Sequence, residues 1–132
     1  MAKKKTDKKR TTPSKKEVRA GKVFVSATFN NTLVTITDED GKTLTWGSAG
    51  SVGFKGTRKS TPFAATSAVD KVIREAQERF GLKEAKIYIK GPGMGRDAAL
   101  RAIRGAGLKI SQIADATPIP HNGPRARKKR RV

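Results

Sequence analysis

Val23-Phe24-Val25-Ser26-Ala27-Thr28-Phe29 alternates two kinds of side chain, with Val23, Val25, Ala27 and Phe29 on one face and Phe24, Ser26 and Thr28 on the other. A period of two is that of a strand. Asn30-Asn31 then supplies two residues tolerant of positive φ, and Leu33 to Thr37 resumes a β-branched run, so the stretch predicts a hairpin. Asp40-Gly41 marks a second turn and Thr43 to Trp46 a third strand, which together make an antiparallel meander.

Downstream the period changes. Thr61-Pro62 reads as an N-cap with proline in the first helical position. Ala65, Ala68, Val69, Val72, Ile73, Ala76 and Phe80 follow at helical spacing, and Gly81 ends the helix. Ala85 to Lys90 alternates again. Gly91-Pro92-Gly93-Met94-Gly95 turns into a second helix from Arg96 to Ala106, whose alanine-rich side predicts close packing on a sheet, and Leu108 to Ile113 is a last strand. The order is β-β-β-α-β-α-β. Strands separated by helices favour parallel crossovers, so the expected fold is α/β, a mixed sheet with a meander on one side and parallel strands on the other.

The chain has 132 residues, 30 Lys plus Arg against 11 Asp plus Glu, a net charge of +19 and no cysteine. Such an imbalance would repel itself in a lone compact protein and argues for a polyanionic partner. Without cysteine there is no disulfide framework, zinc ribbon or thiol nucleophile, and one histidine leaves little for a transition metal. The apolar runs fall far short of the roughly 20 residues that cross a bilayer, and the start Met1-Ala2-Lys3-Lys4-Lys5 has neither a signal-peptide nor a transit-peptide pattern. The expectation is a cytoplasmic protein with no membrane association.

The charge divides the chain. Residues 1–22 carry a net +8, residues 117–132 a net +6 ending in Arg127, Lys128, Lys129, Arg130 and Arg131, and residues 23–116 only +5. The expected organisation is therefore a folded domain (23–116), the candidate nucleic-acid-binding part, flanked by a basic disordered extension (1–22) and a basic tail (117–132); the two flanking stretches order only when phosphates replace their counterions. One such tail is commonly a solubility tag or localisation signal. Two of one sign flanking a domain point to anchoring.

Within the domain, Gly47 to Ser60 is a loop with four glycines, Phe54, Lys55, Arg58 and Lys59. Glycines let a backbone approach phosphate, cations neutralise it and an aromatic ring stacks on an unpaired base. A flexible connector is the plainer reading, but the length and basic character favour a binding loop. The turn with Gly91, Gly93, Gly95 and Arg96 precedes a helix, where exposed amides and the helix dipole suit an anion, and Arg101 and Arg104 form an outward arc on that helix. The turn matches neither the phosphate loop nor the dinucleotide fingerprint. Asp38, Glu39 and Asp40 at a hairpin tip suit a solvated turn or a contact with a basic protein better than a metal. His121 has no acid or nucleophile at catalytic spacing. Asn122-Gly123 is a flexible turn in which isoaspartate formation is expected; recovery of only unmodified Asn122 from aged protein would exclude it.

Phe29-Asn30-Asn31-Thr32, Ser48-Ala49-Gly50, Gly53-Phe54-Lys55-Gly56, Lys59-Ser60-Thr61-Pro62-Phe63-Ala64-Ala65, Gly91-Pro92-Gly93-Met94-Gly95-Arg96 and Pro120-His121-Asn122-Gly123 resemble, in order, the bacterial family of small-subunit ribosomal protein eleven. The resemblance runs from about Val18 to Val132. It implies a ribonuclease-H-like fold and a place on the platform of the small subunit, bridging helices of 16S-type ribosomal RNA and forming part of the cleft for the Shine-Dalgarno helix. It also implies small-subunit proteins seven and eighteen as neighbours, with initiation factor three and messenger RNA nearby. The tail residues His121, Asn122, Arg125, Arg127, Lys128, Lys129, Arg130 and Arg131 join the candidate RNA contacts. Where the family usually has cysteine after His-Asn-Gly this chain has Pro124, and Ala126-Arg127 replaces two prolines.

The fold also houses metal-dependent nucleases, which need converging carboxylates for two metal ions. Val23 to Phe29 and Ala85 to Gly91 contain none. The sequence therefore predicts no enzymatic activity and no cofactor. A histone-like DNA architectural protein fits the charge equally, but a glycine-rich loop with few wedge side chains favours RNA.

Overall fold

The computed structural model describes residues 17–129 and 131. Most of the predicted basic extension, residues 1–16, and the candidate contact Arg130 lie outside the described residues.

Five strands form one sheet: β1 (Ala20–Ala27), β2 (Thr32–Asp38), β3 (Thr43–Ser48), β4 (Glu84–Lys90) and β5 (Lys109–Asp115). The spatial order is β3-β2-β1-β4-β5. β1 and β3 flank β2 antiparallel, whereas β4 runs parallel to both β1 and β5. The mixed α/β sheet expected from the element order is thus present. β1 begins before the expected Val23, because Val18 N–H donates to Phe80 O at 2.8 Å and the amides of Lys83 and Glu84 both donate to Arg19 O at 2.9 Å. It also ends at Ala27, two residues early. Phe29, placed by its alternation on the buried face, is 74% exposed in the turn beyond the strand.

Helix α1 (Pro62–Phe80) starts as its sequence dictates, with the Thr61 hydroxyl accepting from Ala64 N–H at 3.3 Å and proline in the first turn. Gly81 ends it in the left-handed region, φ 67°, where a Cβ would be strained. Helix α2 spans Gly95–Gly105. Both helices cover one face of the sheet, and the core between them is built from Val23, Val25, Val34, Ile36, Val69, Val72, Ile73, Ile87 and Ile103, all at most 1% exposed. Each such side chain contributes about 1.5–3 kcal/mol by leaving water.

The alanine face of α2 packs chiefly on α1 and only slightly on β1, where the sequence predicted the sheet. Small side chains explain this: a Cβ on Gly95 would sit 3.1 Å from Ala65 Cβ, so the two helices meet at their N-terminal ends with no bulk between them. Gln77 Nε2 donates to Ala106 O at 3.0 Å and ties the other ends together.

Asp38, expected at a solvated tip, is 8% exposed; its carboxylate accepts Lys42 N–H at 2.8 Å and closes the β2–β3 hairpin. The helices leave the opposite face of the sheet uncovered.

Candidate nucleic-acid interface

One end of the sheet gathers four segments distant in sequence: the β1–β2 turn, the end of β3 with the loop after it, the N-terminus of α1 and the Gly91–Gly95 turn. Backbone contacts hold them. Ala49 N–H donates to Thr32 O at 3.1 Å and Gly93 N–H to Ala27 O at 3.0 Å. Gly91 has φ 99°, and a Cβ there would lie 2.2 Å from Ala27 O; on Gly93 it would lie 2.3 Å from Thr28 O. Only glycine admits this approach. The Gly91 amide donates to Thr117 Oγ1 at 3.2 Å. The amides of Gly91 and Gly93, expected to face an anion, are therefore satisfied internally, and their visible work is to press the turn onto β1.

The basic loop is built rather than slack. Ser48 and Ser51 exchange hydrogen bonds, Ser48 N–H to Ser51 Oγ at 2.9 Å and Ser51 N–H to Ser48 Oγ at 3.1 Å. Phe54 N–H returns to Ala49 O at 3.2 Å. A short 3₁₀ turn, Gly56–Ser60, then carries Arg58 and Lys59 directly into the cap of α1, with the Thr61 hydroxyl donating to Arg58 O at 2.7 Å. No regular element is legible here in the sequence, because a 3₁₀ turn this short has no apolar period. Lys55 and Arg58 are exposed and Lys59 is half-buried. None of the three takes part in a salt bridge among the described residues.

Beside these cations stand apolar side chains that the sequence reading did not single out as contacts. Phe29 is 74% exposed, Phe63 72% and Met94 73%. Phe63 meets Phe54 edge to face with centroids 5.8 Å apart. Exposed large apolar groups on converging turns mark a contact surface more than a packing error. The available sequence sign was position: each sits next to a turn or helix cap, where a core residue has no layer to enter.

Arg96 is engaged within the chain. Its guanidinium donates to Gly91 O at 2.8 Å, to Thr117 Oγ1 at 3.3 Å and to Asp115 Oδ2 at 2.8 Å. The Thr117 hydroxyl, the Arg96 guanidinium and the Thr117 amide hold the Asp115 carboxyl well below the usual carboxylate range. This network joins the start of α2 to the end of β5 and the root of the tail. Arg101 and Arg104 are exposed but do not join the site. They line a groove of about 590 Å³ with Leu100, Leu108, Ile110 and Ile113, and Arg104 lies ~12 Å along the helix from Arg96 at 1.5 Å per residue.

After Thr117 the described tail has no helix or strand and is exposed throughout. It includes His121, Asn122, Arg125, Arg127, Lys128, Lys129 and Arg131. Asn122 has φ 61°, the single non-glycine residue with positive φ among those described. The arrangement can neutralise phosphates with flexible cations and offer rings to unpaired bases from one end of a rigid sheet.

Comparison with known proteins agrees with this chemistry. The profile of the family described as Ribosomal protein S11 matches residues 21–131. The small ribosomal subunit protein uS11 of Thermotoga maritima is 56% identical over 128 residues, which cover 94% of this chain and 98% of that protein.

Proposed function

Because this chain belongs to the ribosomal protein S11 family, a family of non-enzymatic, RNA-binding constituents of the small ribosomal subunit, we propose that it serves on the platform of that subunit. There it bridges several helices of 16S-type RNA and borders the cleft that receives the Shine-Dalgarno helix. The observation that carries this reading is the convergence at one sheet end of Lys55, Arg58 and Lys59 with exposed Phe29, Phe63 and Met94.

The loop cations neutralise phosphates, and Arg125, Arg127, Lys128, Lys129, Arg130 and Arg131 follow the RNA away from the domain, with His121 and Asn122 at the turn that starts this path. Arg96 acts through the tail, since it holds Asp115 and Thr117 at its root. Gly91, Gly93 and Gly95 act by setting the turn against β1, β2 and α1. Arg101 and Arg104 face a neighbour away from this end. Small-subunit proteins seven and eighteen are the protein neighbours in this reading, with initiation factor three and messenger RNA at the cleft.

Replacing Lys55, Arg58 and Lys59 together by alanine tests it. The expected protein folds normally, binds ribosomal RNA more weakly, and shows a log-log salt slope shallower by about 2 to 3, near one for each phosphate contact removed. Unchanged affinity and unchanged incorporation into small subunits would remove the loop from the interface.

A further inference from the structure

The uncovered face of the sheet carries a row of rings. In register across four strands lie Trp46 on β3, Thr35 on β2, Phe24 on β1 and Tyr88 on β4. Phe24 and Tyr88 stack with centroids 5.2 Å apart and planes 16° from parallel. Cross-strand packing accounts for that pair, which stabilises the β1–β4 ladder. It does not account for Trp46, which is 64% exposed, or for Phe24 remaining 40% exposed.

The charge flanking the rings is mainly positive. Lys22 and Lys86 are register partners beside the ring row on one side, and Lys90 opposite Ser26 lies on the other. Among the described strand residues with this facing, Glu84 is the one carboxylate, at the far end of β4 opposite Lys109. Exposed Lys90 and Leu33 carry the face to the sheet end where the basic loop and the Gly91 turn begin, while Ser48, the register partner of Leu33, is buried. At ~4.8 Å between strands, the row from Trp46 to Tyr88 spans ~14 Å. That is room for roughly two or three unpaired bases, as on other sheets that present aromatic side chains to single-stranded RNA.

We propose that this open face binds unpaired nucleotides of the RNA, stacking bases on Trp46 and the Phe24–Tyr88 pair while Lys22, Lys86 and Lys90 meet the backbone. The inference rests on the RNA-binding reading and extends it from the sheet end to the sheet face. Charge alone binds any polyanion; a ring platform favours single strands, because the bases of a duplex are already stacked.

The chain holds its own reporter, since Trp46 is its only tryptophan. The full-length protein is titrated with a short labelled oligouridylate and, separately, with an RNA duplex of equal nucleotide count, reading Trp46 emission and the anisotropy of the label. Saturating oligouridylate is expected to quench Trp46, and the duplex to leave it nearly unchanged. Trp46→Ala, at an exposed position that leaves the core intact, is expected to weaken oligouridylate binding roughly five- to a hundredfold and duplex binding less than about twofold. Phe24→Leu, which keeps apolar cover on the face, is expected to weaken the single strand in the same selective way. Ultraviolet crosslinking of assembled small subunits is expected to leave a nucleotide adduct on the peptide containing Trp46 or Tyr88.

Binding by anisotropy with no Trp46 response, equal losses for both RNAs, or a face that crosslinks only to protein would overturn the platform and leave the wider RNA-binding reading standing. Failure to bind either RNA would overturn both.

Discussion

Two glycines show how much depends on single atoms. A Cβ at Gly93 would fall 2.3 Å from Thr28 O and 2.8 Å from the carbonyl carbons of Ala27 and Thr28, all of them backbone. None can swing aside. Gly93→Ala is therefore expected to destabilise the protein by about 1–3 kcal/mol through forced overpacking, read as a lower urea midpoint at unchanged slope. Gly105, in the last turn of α2, has nothing within 4 Å of such a Cβ. Gly105→Ala is expected to be neutral or stabilising by up to about 1 kcal/mol, because alanine is the better helix former. Equal effects at the two sites would show that steric contact with β1 is not what Gly93 provides. Both glycines stand out equally in the sequence; only the neighbours separate them.

Among the elements, α2 is secured at its two ends in different ways. Its end near Gly105 is held by the Gln77 to Ala106 hydrogen bond. Its start is held by the Arg96–Asp115 pair, partly open to water at 31% and 57% side-chain exposure. Since the folded Asp115 carboxyl is depressed, its contribution to stability is complete above the unfolded carboxyl pKa of about 3.9 and is lost as pH falls below it toward the folded value. Asp115→Asn should thus lower the urea midpoint by a constant amount from pH ~7 to ~5, with the gap to the parent protein closing below pH ~4. A gap that persists into strong acid would mean that the carboxylate charge is not what ties α2 to β5. Helix α1 was legible because Thr61-Pro62, seven spaced apolar residues and Gly81 all agree. The partner of α2 was not: an alanine-rich face says that something approaches closely, and either a sheet or a second helix satisfies it.

At the scale of the whole molecule, electrostatics divide the labour. Of the +19 net charge, residues 20–116, from the start of β1, carry +6 and the two terminal stretches carry the rest. If about eight phosphates are neutralised on an A-form target, affinity should fall with salt at a log-log slope of order −6 to −7. Filter binding across a salt series checks this, and a nearly flat dependence would sink the electrostatic account. The domain's part is then geometric. It holds a few cations and rings at one end of a rigid sheet, while the described tail after Thr117, exposed and without helix or strand, adds positive charge.

The sequence by itself determined the element order, the cap and stop of α1, the mixed sheet and the polyanionic partner, because periodicity, capping chemistry and net charge are local or additive properties. The tertiary structure alone decided which exposed groups share a surface. Phe29, Phe63 and Met94 lie in three separate segments, Arg96 and Asp115 in two, and Trp46 meets the Phe24–Tyr88 row only through strand register. No local pattern encodes such meetings, since they follow from how β4 inserts beside β1 rather than beside β3. The roles of Gly91 and Gly93 were decided the same way: their amides point into the chain because Ala27 O and Thr117 Oγ1 are there to accept them.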